Sequence, residues 1–198
     1  MTTPESADGL LVVISGPSGV GKTTIVHRLI DAFDGTFSVS ATTRPKTEQD
    51  TEGVDYLFID ETTFQEWIDE DRFLEYAQVF GRSWYGTPRE EVEAQLAQGK
   101  LVVLDIDVQG ATQVRAAMPS AFGIFILPPS EDELLKRLRH RGREDEATIE
   151  RRFAEARHEM EVARTCAAYD AFVVNDSLDV AAARVIEIVG ERFGAQPS

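Results

Sequence analysis

Leu10-Leu11-Val12-Val13-Ile14-Ser15-Gly16-Pro17-Ser18-Gly19-Val20-Gly21-Lys22-Thr23-Thr24-Ile25 decides how the rest of the chain is read. An apolar run leads into a glycine-rich turn, and the turn opens at once into Ile25-Val26-His27-Arg28-Leu29-Ile30. A run without polar alternation suits a strand buried on both faces. Residues Gly16 to Thr23 fit G-x-x-x-x-G-K-[ST] at every specified position. In that pattern the turn aims backbone N–H groups inward and the helix start adds partial positive charge, so the loop cradles phosphate. Lys22 reaches the terminal phosphates, and the Thr23 hydroxyl suits a magnesium ion. Glycine is needed because a Cβ would block positive φ and hold the phosphate away. A fortuitous lysine in an ordinary strand-turn-helix is the bland reading. The stretch implies binding of a nucleoside triphosphate by Gly16, Ser18, Gly19, Val20, Gly21, Lys22, Thr23 and Thr24.

The totals fit that reading. A chain of 198 residues, 42% apolar and 28% charged, has the make-up of one globular domain with small insertions. A net charge of −15 argues against non-specific binding to nucleic acid or anionic lipid. A single nucleotide needs only a local basic cluster. Cys166 is the sole cysteine, so no internal disulfide forms, as expected in a reducing cytosol. Met1 to Gly9 is polar and unlike a signal peptide, and no apolar run approaches the ~18 residues of a membrane span. A cytoplasmic protein is expected, with no membrane or nucleic-acid partner.

Residues 1–8 and roughly 194–198 read as polar ends. Val54 to Ile59 and Phe73 to Val79 have strand character. Thr63-Phe64-Gln65-Glu66 reads as a capping box starting a short helix that ends near Asp71. Thr87-Pro88-Arg89-Glu90 reads as an N-cap, a proline at the first helical position and an acidic first turn. That helix stops at Gly99. Leu101 to Asp105 and Phe122 to Leu127 are buried strands, separated by a helix over Ala111 to Met118. Ser130-Glu131-Asp132-Glu133 is a second capping box, launching a helix with Lys136, Arg137, Arg139 and Arg141. A longer helix runs from about Thr148 to Cys166, then a strand over Ala171 to Val174 and a helix to about Phe193. Buried strands alternating with helices imply an α/β fold, a parallel sheet covered on both faces. Residues 37–90 break the alternation as a small mixed α+β insertion; 9–36 and 99–193 form the core.

Asp105 ends an apolar strand in the Walker B manner, where it would hold magnesium directly or through water. Arg137 and Arg141 are four apart and share a helix face, with Arg151-Arg152 one short loop away. A solvated charged face paired with Glu144, Asp145, Glu146, Glu150 and Glu155 is the bland reading, favoured for Arg139, Arg143 and Arg151. Two arginine-bearing helices around a glycine loop also suit a lid, about residues 137–152, that closes over phosphates. His27, His140 and His158 have no ligand spacing.

The chain resembles the guanylate kinase family over about residues 10 to 190. The resemblance rests on Gly16 to Thr24, on Ser38-Val39-Ser40-Ala41-Thr42-Thr43-Arg44, and on Gly53-Val54-Asp55-Tyr56-Leu57-Phe58. It continues through Phe73-Leu74-Glu75-Tyr76-Ala77, Tyr85-Gly86-Thr87 and Leu104-Asp105-Ile106-Asp107-Val108-Gln109-Gly110. Pro128-Pro129-Ser130 and Val174-Asn175-Asp176 complete it. It implies a P-loop NTPase-type core, an acceptor-binding insertion and transfer of the γ-phosphoryl group of MgATP to GMP, with dGMP a further acceptor. By resemblance, Ser40, Glu75, Thr87 and Asp107 contact guanine; Arg44, Tyr56 and Tyr85 hold the GMP phosphate. Arg137, Arg141 and Arg152 match the lid arginines, and Asn175 lies near the ATP adenine. Carboxylates suit guanine, which offers N1–H and N2–H₂ donors where adenine does not.

Two departures fall in the insertion. The family motif Arg-x-Pro-Arg-x-Gly-Glu is replaced by Arg44-Pro45-Lys46-Thr47-Glu48-Gln49-Asp50, without the second arginine or the Gly-Glu. A one-residue gap puts Lys46 in the arginine's place, but lysine cannot grip phosphate bidentately. Gly81-Arg82-Ser83-Trp84-Tyr85 is about one residue longer than common versions. Both bear on the acceptor and leave the donor half intact. Two other readings stand beside the kinase: a relative with a redirected nucleotide acceptor, and a non-catalytic guanylate-kinase-like module binding phosphopeptides. Glu75 and Asp107 speak against the first; Lys22, Asp105 and the lid arginines speak against the second.

Overall fold

A computed structural model describes residues 9–79, 81–141 and 145–194; at Arg141 it describes the backbone alone. The expected polar ends, 1–8 and 195–198, lie outside the described residues. Strand β1 (Leu10–Ser15) is followed by helix α1 (Lys22–Phe33), β2 (Thr36–Phe37), β3 (Ala41–Thr42), β4 (Leu57–Phe58) and α2 (Glu61–Asp69). Next come β5 (Phe73–Val79), β6 (Ser83–Pro88), α3 (Arg89–Leu96), β7 (Leu101–Asp105) and α4 (Val108–Ala117). The order closes with β8 (Phe122–Leu127), α5 (Glu131–Arg141), α6 (Glu146–Thr165), β9 (Ala171–Val174) and α7 (Leu178–Phe193).

The core sheet runs β2-β7-β1-β8-β9, parallel at every pairing. Its two central strands explain why their sequences lack polar alternation. Leu10, Val12 and Ile14 of β1, with Leu101 and Val103 of β7, pack on one face against Ile25 and Leu29 of α1 and Val185 of α7. Leu11 and Val13, with Val102 and Leu104, pack on the other against Val92 of α3 and Val114 of α4. Both faces of both strands are therefore core. Parallel strands put their C-terminal ends on one side, where the turn after β1 and Asp105 of β7 meet. Ile14 pairs with Asp105 in register.

A second sheet, β4-β3-β6-β5, has antiparallel β3–β6 and β5–β6 pairs and one parallel β3–β4 pair. Its core is aromatic. Phe64 of α2 stacks on Phe73 with centroids 4.5 Å apart and on Trp84 at 5.9 Å. Gln113 of α4 ties this sheet to the core: its amide donates to the Tyr76 carbonyl and accepts from the Tyr76 N–H.

Several expected boundaries move, each for a local reason. The strand expected over Val54 to Ile59 is cut to Leu57–Phe58. Asp55 accepts from the Thr51 N–H at 2.7 Å and Gly53 turns at φ 72°, so the chain loops there and leaves Val54 exposed. Helix α2 is capped by Asp60, which accepts from the Thr63 N–H at 2.7 Å, so Thr63 is inside the helix and not its cap. Thr87 does not cap α3; it lies in β6 opposite Glu75, and Pro88 takes the N-cap position. Asp107 caps α4 through the Gly110 N–H, and Asp145 caps α6 through the Thr148 N–H, so both helices start earlier than expected. Strands β2, β3 and β6 were not legible as runs; two are only two residues long.

Candidate active site

The turn after β1 is shaped by its glycines. Gly16, Gly19 and Gly21 have φ of 151°, 86° and 96°. A Cβ on Gly16 would lie 2.5 Å from the Ile126 carbonyl oxygen, and one on Gly21 would lie 2.7 Å from the Asn175 amide nitrogen. Positive φ and close approach both demand glycine here. Lys22 folds back over the turn and donates to the Gly16 carbonyl. The first backbone N–H groups of α1 stand at the mouth of the turn, with Thr23 and Thr24 in the first helical turn and no side-chain cap on Gly21. Uncapped N–H groups at a helix start are an anion site.

Two further elements brace the turn. Asn175 follows β9 and is 3% exposed; its amide donates to the Val20 carbonyl at 2.7 Å. The side chain assigned to the adenine region by resemblance is thus engaged with the turn itself. Arg137 of α5 donates to the Asn175 carbonyl at 3.0 Å and to Glu133 at 3.2 Å. Arg152 of α6 donates to the Ser18 hydroxyl. Two of the three expected lid arginines therefore touch the phosphate loop or its brace. The third, Arg141, ends α5, and its side chain lies outside the described residues, as do Gly142, Arg143 and Glu144.

Asp105 stands beside this turn. Burial raises its pKa, and the Lys22 charge partly opposes that rise. A buried carboxylate with one cation near it favours a further cation. Magnesium takes one or two protein oxygens and fills its octahedron with water and phosphate, so a donor set of Asp105 and the Thr23 hydroxyl suits it.

The second sheet supplies the facing wall. Glu75 on β5 is 7% exposed and accepts from the Thr87 hydroxyl at 2.6 Å. Burial pushes its pKa up to about 6, against the Thr87 hydrogen bond and with help from the Asp107 charge. Gly110 makes room for it, since a Cβ there would sit 3.1 Å from the second Glu75 oxygen. Asp107 spends one oxygen on the Gly110 N–H at 2.8 Å. It also lines a cavity of about 540 Å³ with Gln109, Gln113, His158 and Glu159, a volume of nucleotide size. Ser40 passes its carbonyl to the Leu57 N–H, between β3 and β4.

Arg44 leaves β3 and is surrounded. It lies over the rings of Tyr56 and Phe58, 5.3 Å from each centroid, and Tyr56 meets Tyr85 edge-on at 5.6 Å. Asp50 binds it bidentately at 2.8 and 3.0 Å. The pair holds the Asp50 carboxyl far below the usual range and raises the Arg44 guanidinium. Lys46 shares the Phe58 ring with Arg44, 5.8 Å from its centroid, and pairs with Glu52 at 3.7 Å.

Sequence reasoning missed Asp50, Gln113 and Glu159. Glu159 is a half-buried carboxylate of α6 whose pKa burial raises, within reach of the Lys22 and Asp107 charges. The available signal was its place next to Ala156, Met160 and Ala163, the buried stripe of that helix.

A phosphate turn at one strand end, an acidic strand end beside it and a separate small sheet facing both define a P-loop phosphotransferase architecture. A guanylate kinase family model matches residues 9–192. A guanylate kinase of Synechocystis sp. is 46% identical over 94% of this chain and 96% of its own length. One of Neisseria gonorrhoeae is 48% identical over 91% and 87%. The crystal structure of guanylate kinase from Anaplasma phagocytophilum superposes with a TM-score of 0.71 at 30% identity, covering 94% of this chain and 87% of that one. The chain belongs to the guanylate kinase family.

Proposed function

We propose that this chain transfers the γ-phosphoryl group of ATP to GMP, and to dGMP, giving ADP and the nucleoside diphosphate. Residues 9–36 and 99–193 form the donor half, with the lid at about 137–152, and 37–90 form the acceptor unit. The donor phosphates lie on the Gly16–Thr24 turn. Lys22 exchanges its contact with the Gly16 carbonyl for the β- and γ-phosphates, which make a stronger, charge-assisted bond. Thr23 and Asp105 would hold magnesium, which supplies charge neutralisation between the phosphates when bound. Arg137 and Arg152 would surround the transferring group, and the resemblance adds Arg141 to them. Phosphoryl transfer asks for alignment and positive charge, and no side chain need act as nucleophile because a GMP phosphate oxygen attacks in line.

Glu75 is the observation that carries the acceptor assignment. A buried carboxylate next to Asp107 is a pair of acceptors, suited to the N1–H and N2–H₂ donors of guanine. Adenine would turn its N1 lone pair toward a carboxylate and leave it unpaired, which is strongly discriminating in a buried site. Thr87 fixes the carboxylate, Ser40 borders the same edge, and Arg44, Tyr56 and Tyr85 receive the phosphate. Lys46 stands at the rim as an additional cation.

The test is ADP formation from MgATP with GMP, dGMP, AMP, CMP and UMP in separate reactions. Turnover with the two guanine nucleotides alone is expected. Equal or greater turnover with another acceptor would contradict the assignment, and no turnover with any would return the chain to a binding module.

A further inference from the structure

Asp50 is the carboxylate bound to Arg44, and the phosphotransfer reading gives it no task. Its carboxylate takes one hydrogen each from Nη1 and Nη2 of Arg44, and the Pro45 carbonyl takes the second Nη1 hydrogen at 3.0 Å. A guanidinium has five donors. Nε–H and the second Nη2–H are taken by neither Asp50 nor Pro45, and these two lie on one edge and point the same way. Tyr85 is a further side-chain hydrogen-bond partner of the guanidinium, and the Tyr56 and Phe58 rings lie against it.

We propose that Asp50 is a positioning residue for the acceptor phosphate, clamping Arg44 by one edge so that the other is presented to GMP. The proposal rests on the reading of Arg44 as a ligand of that phosphate. It explains how the site works with one arginine where the family motif has two. Counted from Arg44 without a gap, Thr47 falls where the motif has its second arginine and Asp50 where it has glutamate. Thr47 then serves the clamp: its N–H donates to Asp50 at 2.7 Å and its hydroxyl at 2.6 Å. An arginine already ordered surrenders no further rotamer freedom when the nucleotide arrives.

A carboxylate so close to a phosphate site has two opposed effects. Its charge repels the dianion, while its clamp orders the ligand. Arg44 keeps 27% of its side chain exposed, so solvent and salt weaken the longer-range repulsion more than the short bidentate contact. Nor is Asp50 a loose competitor awaiting displacement, because the two Thr47 donors anchor it within its own turn.

The test is steady-state kinetics with MgATP on wild type, Asp50→Asn, Asp50→Glu, Arg44→Ala and the Arg44→Ala/Asp50→Asn double variant. Guanosine, which lacks the phosphate, is measured as a competitive inhibitor. Asp50→Asn should raise the KM for GMP about tenfold, with kcat within about twofold and the ATP KM and guanosine inhibition unchanged. Asp50→Glu should restore part of the loss, and Asp50→Asn should add less than about twofold to Arg44→Ala. An unchanged or lowered GMP KM in Asp50→Asn overturns the proposal. So does a parallel loss of guanosine inhibition, which would mean that the turn had collapsed. A wild type that neither binds nor turns over GMP takes down the phosphotransfer reading together with the proposal; a wild type active on GMP and indifferent to Asp50→Asn removes the proposal alone.

Discussion

The donor and acceptor halves build their sites in different ways. In the donor half the backbone does the work: a left-handed glycine turn, uncapped helix N–H groups and a carbonyl that receives Lys22. In the acceptor half side chains hold side chains: Thr87 on Glu75, Asp50 on Arg44 and Gln113 on the Tyr76 backbone. The first kind of site tolerates almost no change at its glycines. The second can be rewired one residue at a time, and residues 45–50 have been.

The contrast is broken most sharply at Lys22. Lys22→Ala should lower kcat/KM about a thousandfold with every acceptor, because it removes charge needed on the moving phosphoryl group. Thermal unfolding should fall only modestly, since among the described residues the lysine makes one part-buried hydrogen bond, to Gly16, and its charge opposes the burial of Asp105 and Glu159. A loss confined to GMP would place Lys22 in the wrong half.

Gly16→Ala comes next. Its Cβ would meet a backbone oxygen at 2.5 Å in a strained φ, with no flexible atom to yield. We expect about 3 kcal/mol lost in denaturant unfolding. A variant as stable as wild type would mean that the turn is not held by its backbone.

The acceptor half should instead respond to protons. Guanine donors need Glu75 ionised, and its pKa of about 6 lies within easy reach. Guanosine affinity should fall as pH drops below 6, and Glu75→Gln should abolish that dependence. Guanosine is chosen because the GMP phosphate itself titrates near pH 6. A flat guanosine profile between pH 5 and 8 would remove Glu75 from the base. The smallest effect is expected from Gly110→Ala. The helix gains up to about 1 kcal/mol while the Cβ crowds Glu75, so net stability should change by less than that. The GMP KM should rise two- to threefold by the tight contact, roughly 0.5 kcal/mol; a KM unchanged in the assay would show that Glu75 can shift freely.

The same contrast decided what could be read from the sequence. β1 and β7 announced themselves because both faces are buried, and the turn because its residue pattern follows from its geometry. The acceptor sheet was legible only in part. β5 occupies the residues read as a strand and β4 lies inside the longer strand expected over Val54 to Ile59, whereas β3 is too short for periodicity to register and β6 hides behind Thr87-Pro88, which has helix-start chemistry but pairs with β5. Glu75, Thr87 and Asp107 were reached only through resemblance, since their hydrogen bonds and shared burial arise from tertiary contact. Lys46 and Asp50 show the limit. Counting with a gap puts Lys46 in the arginine's place; Lys46 lies over the Phe58 ring and pairs with Glu52, while Asp50, which no count singled out, binds Arg44.

A buried ionised carboxylate also strains the fold. The Glu75 pKa lies above its ordinary 4.5, so the folded state favours the protonated form. That stabilisation is complete below pH 4.5 and is lost as pH rises through 6, a difference of about 2 kcal/mol. Function and stability therefore pull in opposite directions at this residue. The most direct measurement is a pair of titrations, GMP and a non-hydrolysable ATP analogue, into wild type and Glu75→Gln at pH 8, with unfolding followed on the same samples. The account predicts a Glu75→Gln protein that is more stable, binds the ATP analogue as before and binds GMP at least tenfold more weakly, about 1.4 kcal/mol. Undiminished GMP binding, or a matching loss of the ATP analogue, would contradict it.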